Sequence, residues 1–204
     1  MTLSRSRLGL CLSVGFALAA TAAWAAAPGD MSLGSAKAPV TVIEYASLGC
    51  PHCGAWSRDV FPAFKHRYID TGRVRFVLRE MLTGDPDVAA AGFLTARCAG
   101  EAKYFQVVEG LFAAQPRMAA DGDDLPQLLE VAGSAGLDKV KVSACLSDHA
   151  ALAALEARAD ANGRDNHVDA TPTFDVNGRR FEGETSLAVL GPAIDAAARL
   201  HRRR

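Results

Sequence analysis

The sequence has no marked excess of charge of either sign, so it lacks the excess of positive charge that is typical of nucleic-acid-binding proteins. It holds 22 lysine and arginine residues against 23 aspartate and glutamate residues. The basic triplet at residues 202–204 is short, and we interpret it as a solvated tail. We therefore expect no nucleic-acid partner.

The sequence also lacks the residues that a metal or haem site would need. A c-type haem would require a histidine directly after the Cys-x-x-Cys motif at 50–53, and that position is Gly54. A structural zinc site would require a second such motif or a close histidine pair, whereas His66, His149 and His167 stand alone. We expect neither a metal nor a cofactor.

Internal repeats are absent, and no low-complexity linker follows Ala27. The segment before it has the layout of a secretory signal peptide, with Arg5 and Arg7, then an uncharged apolar run, then small residues. We predict that residues 1–27 are removed after export to the periplasm. A membrane anchor is the alternative, although the apolar run is near the short limit for a bilayer span. The remaining length, about 175 residues, suffices for one domain with an insertion.

Four cysteines follow this segment: Cys50, Cys53, Cys98 and Cys145. An even number of cysteines in an exported chain fits an oxidising compartment. For Cys98 and Cys145, a structural disulfide is the interpretation that we favour for such a chain. The alternative is two small, buried free cysteines.

The motif Cys50-Pro51-His52-Cys53 is the strongest chemical signal in the sequence. It follows an apolar, strand-like run and opens a helix-like stretch, where Pro51 suits the first helical turn. Unpaired N–H groups at a helix start favour the thiolate of Cys50, and a protonated His52 would add to this effect. We predict a redox site in which Cys50 is the nucleophile and Cys53 is the buried resolving thiol.

The pattern along the chain predicts strand, helix and strand over residues 40–78, with a kink at Pro62 in the helix. An alanine- and leucine-rich helical block follows, and then a hairpin with an Asn177-Gly178 turn and a final helix. This order predicts an α/β thioredoxin-like fold with an inserted all-helical domain. We expect the thioredoxin-like domain at residues 28–87 and 168–204, and the insertion at 88–167.

In these features the sequence resembles the DsbA-like thiol:disulfide oxidoreductases of the thioredoxin superfamily. The resemblance covers essentially the whole chain after residue 27. It implies a buried acid at Glu44 that assists Cys53, and a cis-proline loop at Thr171-Pro172 that binds an extended substrate beside the disulfide. Some members of the family also carry a second disulfide in the helical block. The alternative for Glu44 is a position at the sheet edge, in contact with solvent.

The expected function is a dithiol oxidase that passes the Cys50–Cys53 disulfide to cysteine-containing exported proteins. The resemblance implies reoxidation by a quinone-linked membrane partner, and we expect a monomer. One alternative is a reductase or isomerase that a membrane donor keeps reduced, which Thr171 before the proline would also suit. Another is a non-catalytic binding protein or chaperone with structural cysteines.

Overall fold

The protein is described by a computed structural model that covers residues 29–203. The predicted signal peptide lies outside the described residues. The strands are β1 (Met31–Leu33), β2 (Val40–Ala46), β3 (Val74–Glu80), β4 (Thr173–Val176) and β5 (Arg179–Glu182). They form one sheet in the order β1-β3-β2-β4-β5.

The helices are α1 (Pro51–Asp59), α2 (Phe61–Phe64), α3 (Pro86–Cys98), α4 (Glu101–Asp121), α5 (Leu125–Ser134), α6 (Lys139–Leu146), α7 (His149–Arg164) and α8 (Leu187–His201), with a π-helical turn at Lys65–Ile69. Helices α3–α7 all lie between β3 and β4 in the chain, which confirms the predicted fold class. The domain boundaries at residues 88 and 167 stay a prediction. No helix within residues 29–203 is long and apolar enough to span a membrane.

Strand β2 is central, and all of its residues except the half-buried Thr41 are buried, so both of its faces are covered. It pairs in parallel with β3 and antiparallel with β4, where Tyr45 lies opposite Thr173. The end of β2 and the start of β4 therefore lie next to each other, at the same end of the two central strands. This register brings the Cys-x-x-Cys motif next to the loop that precedes β4.

The predicted kink in the first helix is confirmed as a break between α1 and α2. An aromatic cluster holds this region on the sheet: the ring of Trp56 lies 4.6 Å from that of Phe174 and within 5.8 Å of Phe61 and Phe64. The indole N–H of Trp56 also donates to the carbonyl oxygen of Thr185 at 2.9 Å. The helix that carries the cysteines is thus anchored by packing and by one buried hydrogen bond.

The sequence pattern predicts a helix over residues 102–114 here, but α4 continues through Pro116 to Asp121. A proline inside a helix leaves the carbonyl oxygen four residues earlier without its N–H partner. That carbonyl belongs to Phe112, and it accepts a 2.8 Å hydrogen bond from the guanidinium of Arg58 in α1. A side chain of α1 therefore supplies the hydrogen bond that a backbone carbonyl of α4 would otherwise lack.

The helical insertion is also tied to the sheet by a buried acid, Glu80, at the end of β3. Its carboxylate accepts from Arg97 of α3 at 2.6 and 2.8 Å, from Arg158 of α7 at 3.2 Å and from the Tyr104 hydroxyl of α4 at 2.9 Å. A buried charge with several donors fixes relative position more than it adds stability. Three helices of the insertion thereby share one anchor on the sheet.

Candidate functional site

Cys50 caps the N-terminus of α1 directly beyond the end of β2. Its backbone is extended, Pro51 is the first helical residue, and the Cys50 thiol lies 3.4 Å from the carbonyl oxygen of Thr171. The peptide bond between Thr171 and Pro172 is cis. The structure therefore brings the cysteine motif and the predicted proline loop into contact, although 121 positions separate the cysteine from the threonine in the chain.

Both cysteines of the motif are reduced and buried, Cys50 being 6% and Cys53 0% exposed. The pKa of Cys50 falls from 9.0 to about 5 because the Cys53 side chain, the Thr171 side chain and the backbone N–H groups of Cys53 and His52 hydrogen-bond to its thiolate, against the opposing effect of burial. Cys50 is thus the ionised member of the pair near neutral pH. Its reactivity comes from hydrogen bonds rather than from wide exposure.

Cys53 has the opposite electrostatic environment. Burial raises the pKa of Cys53 far above its usual range, and the neighbouring Cys50 thiolate and Glu44 raise it further. The two thiols of one motif therefore differ in role: one is held as a thiolate and the other as a thiol.

Glu44 lies in the central strand β2 and is only 3% exposed, so it is not an edge residue in contact with solvent. Burial, assisted by the negative charge of Cys50, raises the pKa of Glu44 to about 8. One of its carboxyl oxygens has no hydrogen-bond partner within residues 29–203. A buried carboxyl of this kind is neutral at pH 7 and can release or accept a proton near that pH.

The His52 side chain is exposed, and its Nδ1 lies 2.5 Å from a carboxylate oxygen of Glu184, in the loop between β5 and α8. The hydrogen bond and charge of Glu184 raise the pKa of His52, and the Cys50 thiolate raises it slightly more. From the sequence we predicted only that a protonated His52 favours the Cys50 thiolate. In the structure, Glu184 also favours the protonated form of His52.

Hydrogen bonds made by three hydroxyl groups join the proline loop to the segments that follow β2 and β3. The hydroxyls of Thr171 and Thr83 lie 2.7 Å apart, and the hydroxyl of the fully buried Ser47 donates to the carbonyl oxygen of Thr83 at 2.7 Å. When the Thr171 hydroxyl donates to the Cys50 thiolate, it accepts from Thr83, because each hydroxyl has one proton. Thr83 thereby helps to orient the proton that stabilises the thiolate.

The helical insertion contributes one side chain to the cysteine loop. The amide of Gln115, in α4, donates to the carbonyl oxygens of Leu48 at 2.8 Å and Cys50 at 3.2 Å. The side-chain oxygen of Gln115 also packs on Gly54, where a Cβ atom would clash with it. Sequence reasoning missed Gln115, Thr83 and Glu184, which are polar residues without a local motif.

Two glycines allow the cysteine loop to approach the loop after β3. A side chain at Gly49 would clash with the backbone of Asp85, and one at Gly84, which has a φ of 74°, would clash with the backbone of Gly49. The close approach is held by a hydrogen bond from the N–H of Asp85 to the carbonyl oxygen of Gly49 at 3.1 Å.

The other two cysteines lie away from this site. The structure joins Cys98, at the end of α3, to Cys145 in α6 by a disulfide whose Cα atoms are 6.2 Å apart. Cys98 is exposed and Cys145 is half-buried. The bond therefore links two helices of the insertion.

A sheet that brings a Cys-x-x-Cys helix start, a cis-proline loop and a buried acid together at the ends of its central strands defines a thioredoxin-fold protein with a dithiol site. Comparison with known proteins agrees. Residues 26–196 match the sequence model of a thioredoxin family, and the chain belongs to that family.

The chain is 32% identical over 169 residues to a Rickettsia conorii protein that carries the provisional name of protein-disulfide oxidoreductase. This match covers 82% of the chain but only 60% of the relative's length. The fold is similar to the crystal structure of alpha-DsbA1 from Wolbachia pipientis, with a TM-score of 0.78 and 25% sequence identity over 86% of this chain and 94% of that one. It is also similar to the crystal structure of oxidised BdbD from Bacillus subtilis, with a TM-score of 0.72 and 22% sequence identity over 84% of this chain and 94% of that one.

Proposed function

We propose that the protein is a periplasmic thiol:disulfide oxidoreductase that donates the Cys50–Cys53 disulfide to cysteine pairs of exported proteins. The observation that carries the proposal is the difference between the two thiols, one with its pKa lowered to about 5 and the other with its pKa raised by burial. The provisional name of the Rickettsia relative supports the same class of reaction.

Donation takes place in two exchange steps. In the first, a substrate thiolate attacks the sulfur of Cys50, a mixed disulfide forms, and the Cys50–Cys53 bond breaks with its electron pair on Cys53. Because the pKa of Cys53 is raised, the sulfur that leaves needs a proton. The buried carboxyl of Glu44, with a pKa of about 8, is neutral at pH 7 and is suited to supply it.

In the second step, the other thiolate of the substrate attacks the substrate sulfur of the mixed disulfide and releases Cys50 as a thiolate. The substrate loses two electrons and the protein gains them. A thiol with a pKa of about 5 rather than 9.0 stabilises the dithiol form at pH 7 by about 3 kcal/mol, or roughly 60 mV for a two-electron couple. The low pKa therefore favours oxidation of the substrate.

The substrate would lie along the cis-proline loop. The backbone of Thr171 precedes β4 next to the Cys50 sulfur, so an extended chain can pair with it in a sequence-tolerant way. A quinone-linked membrane protein would then reoxidise the dithiol. The predicted signal peptide supports the periplasmic location.

The reduction potential tests the proposal. The Cys50–Cys53 pair is equilibrated with glutathione buffers in the mature protein, and a Cys98→Ser/Cys145→Ser variant serves as control for the second disulfide. A potential near or above about −150 mV is expected for a disulfide donor. A value near or below about −250 mV would contradict the oxidase and favour a reductase.

A folding assay separates these reactions from a non-catalytic role. Oxidised protein is mixed with a reduced substrate that has two cysteines, and recovery of the folded substrate is followed. Donation predicts that a Cys50→Ala/Cys53→Ala variant is inactive. Full activity of that variant would show that the protein acts as a binding protein instead.

A further inference from the structure

A groove of about 440 Å³ opens beside the cysteine motif, between the start of α1 and the helical insertion. Gly49 and Pro51, the residues on either side of Cys50, both line it, and Gln115 forms part of its wall. A substrate that reacts at Cys50 therefore passes the mouth of this groove. The proposed mechanism assigns no role to it.

One wall of the groove is apolar. It is formed by Leu48, Val88 and Met118, and these side chains continue into a small recess of about 30 Å³ that Leu111 and Leu128 help to line. The recess is too small to take more than a single methyl-sized group. The wall itself offers apolar surface on which the aliphatic stem of a longer side chain can pack.

The rim of the groove is acidic. Asp124, which is half-buried, lines both the groove and the recess, and its carboxylate has no hydrogen bond or ion pair among residues 29–203. Asp85, which also lines the groove, caps α3 with one carboxylate oxygen. The exposed Asp87, Asp121 and Asp123 are each adjacent in the chain to a residue that lines the groove, and they add negative charge there. Together these carboxylates favour a cationic group at the rim.

The residues that line the groove do not cancel this charge. No lysine or arginine is among the described residues that line the groove. Arg58 is directed to the carbonyl oxygen of Phe112, and Arg117 is paired with Glu130 at 2.9 Å. The carboxylate of Asp124 at the rim is therefore available to pair with a cationic group of a ligand.

An apolar wall with a carboxylate at its edge matches the shape of a lysine or arginine side chain, which packs its stem on apolar surface and keeps its charge at the boundary. We propose that this groove binds a lysine or arginine that lies close in sequence to the reacting cysteine of the substrate. The inference rests on the proposed function and names a substrate class for it: unfolded segments with a basic residue near the cysteine.

The test uses single-cysteine peptides that are identical except for one position, scanned from two to four residues on either side of the cysteine and occupied by lysine, serine or glutamate. Oxidised protein is mixed with an excess of each peptide, so that a second peptide thiol attacks the mixed disulfide and leaves with the first as a symmetrical peptide disulfide. The reaction is quenched with acid, and the initial rate at which the Cys50–Cys53 disulfide is lost is measured by mass spectrometry. A nearby lysine also lowers the pKa of the peptide thiol itself. Each rate is therefore divided by the rate of the same peptide with a small symmetrical disulfide.

At the best position and at low ionic strength, the normalised rate of the lysine peptide should exceed that of the glutamate peptide by on the order of tenfold. The reason is that the acidic rim attracts lysine and repels glutamate. The ratio should fall towards one in 1 M salt, where the screening length is about 3 Å. In an Asp85→Asn/Asp124→Asn variant it should fall to less than about twofold at low salt. Asparagine at position 85 keeps the helix cap, so folding is retained.

Asp148→Asn is the matched control, because Asp148 caps α7 with the same two hydrogen bonds but lies outside the groove. Its ratio should equal that of the wild type. A wild-type ratio near one, with all peptides oxidised, would overturn the inference and leave the proposed function intact. A preference for lysine that persists in the Asp85→Asn/Asp124→Asn variant would also overturn it. Failure to oxidise even the serine peptide would instead contradict the proposed function.

Discussion

Replacement of Glu44 by glutamine removes the carboxyl group from the buried centre of β2 while it nearly preserves the shape of the side chain. The carboxyl has a pKa of about 8 in the folded, reduced protein and an ordinary value of 4.5. Below pH 4.5 it is protonated in both the folded and the unfolded state, so it has no effect on the pH dependence of stability. Between 4.5 and 8 the unfolded state releases the proton and the folded state keeps it, so the free energy of unfolding falls as pH rises.

The slope in this window is about 1.4 kcal/mol per pH unit for one group. From pH 4.5 to pH 7 the wild type therefore loses about 3 kcal/mol that the Glu44→Gln variant does not lose. The measurement is urea unfolding of the reduced protein at a series of pH values. The difference between the two curves is the quantity of interest, because any constant cost of burying the amide cancels from it.

Glu156→Gln is the control, since Glu156 is exposed on α7. Its stability should run parallel to that of the wild type at every pH. A Glu44→Gln curve that is also parallel to the wild type would refute the argument that Glu44 is held protonated by burial. If Glu44 supplies the proton to Cys53, rapid mixing should also show that the variant forms the mixed disulfide with a substrate thiol at least about tenfold more slowly.

Three further perturbations have defined outcomes. Glu184→Gln should lower the pKa of His52, measured by NMR of the ring protons, because it removes the charge and the hydrogen bond that raise it. Gln115→Ala should destabilise the protein by about 2 kcal/mol in urea unfolding and slow disulfide donation, since the carbonyl oxygen of Leu48 loses its donor and that of Cys50 keeps only the N–H of Gly54. Replacement of Cys98 and Cys145 by serine should lower stability by up to about 4 kcal/mol, because the bond closes a loop of 47 positions.

Matched variants control two of these experiments. Glu182→Gln removes a second exposed acid near Glu184 in the chain, and a His52 pKa that falls equally in both variants would show that general surface charge is responsible. Gln106 lies on the same helix as Gln115 and donates to the carbonyl oxygen of Ser134 at 3.0 Å, away from the site. Equal slowing of disulfide donation by Gln106→Ala would contradict a specific role for Gln115.

Most elements of the fold could be predicted because each has a local signal. The β-branched run of β2, the Asn177-Gly178 turn with its two positive φ angles, and the helical block between β3 and β4 all lie where the pattern indicated. Strand β1 was missed, because three half-buried residues are too short for a periodic pattern. The end of α4 was missed because Arg58, which compensates for Pro116, comes from another part of the chain.

The predictions for the site divide in the same way. The cysteine motif and the proline loop are local sequence patterns, and the structure brings them together at the ends of β2 and β4. The partner of His52 is 132 positions away, and Gln115 is 65 positions from Cys50. No local spacing marks Glu184 or Gln115 as part of the site, because only the folded chain makes them neighbours of the cysteines.

The contacts of Gln115 give the helical insertion a function beyond covering the sheet. The thiolate of Cys50 depends on where its loop holds the sulfur relative to the N–H groups at the start of α1, and Gln115 fixes two carbonyl oxygens of that loop from outside the thioredoxin-like part of the chain. Glu80 in turn fixes the insertion to β3 through α3, α4 and α7. A shift of the insertion relative to the sheet would therefore move the cysteine loop and change the stability of its thiolate. On this argument the insertion helps to set the redox properties of the site, as well as the groove that opens beside it.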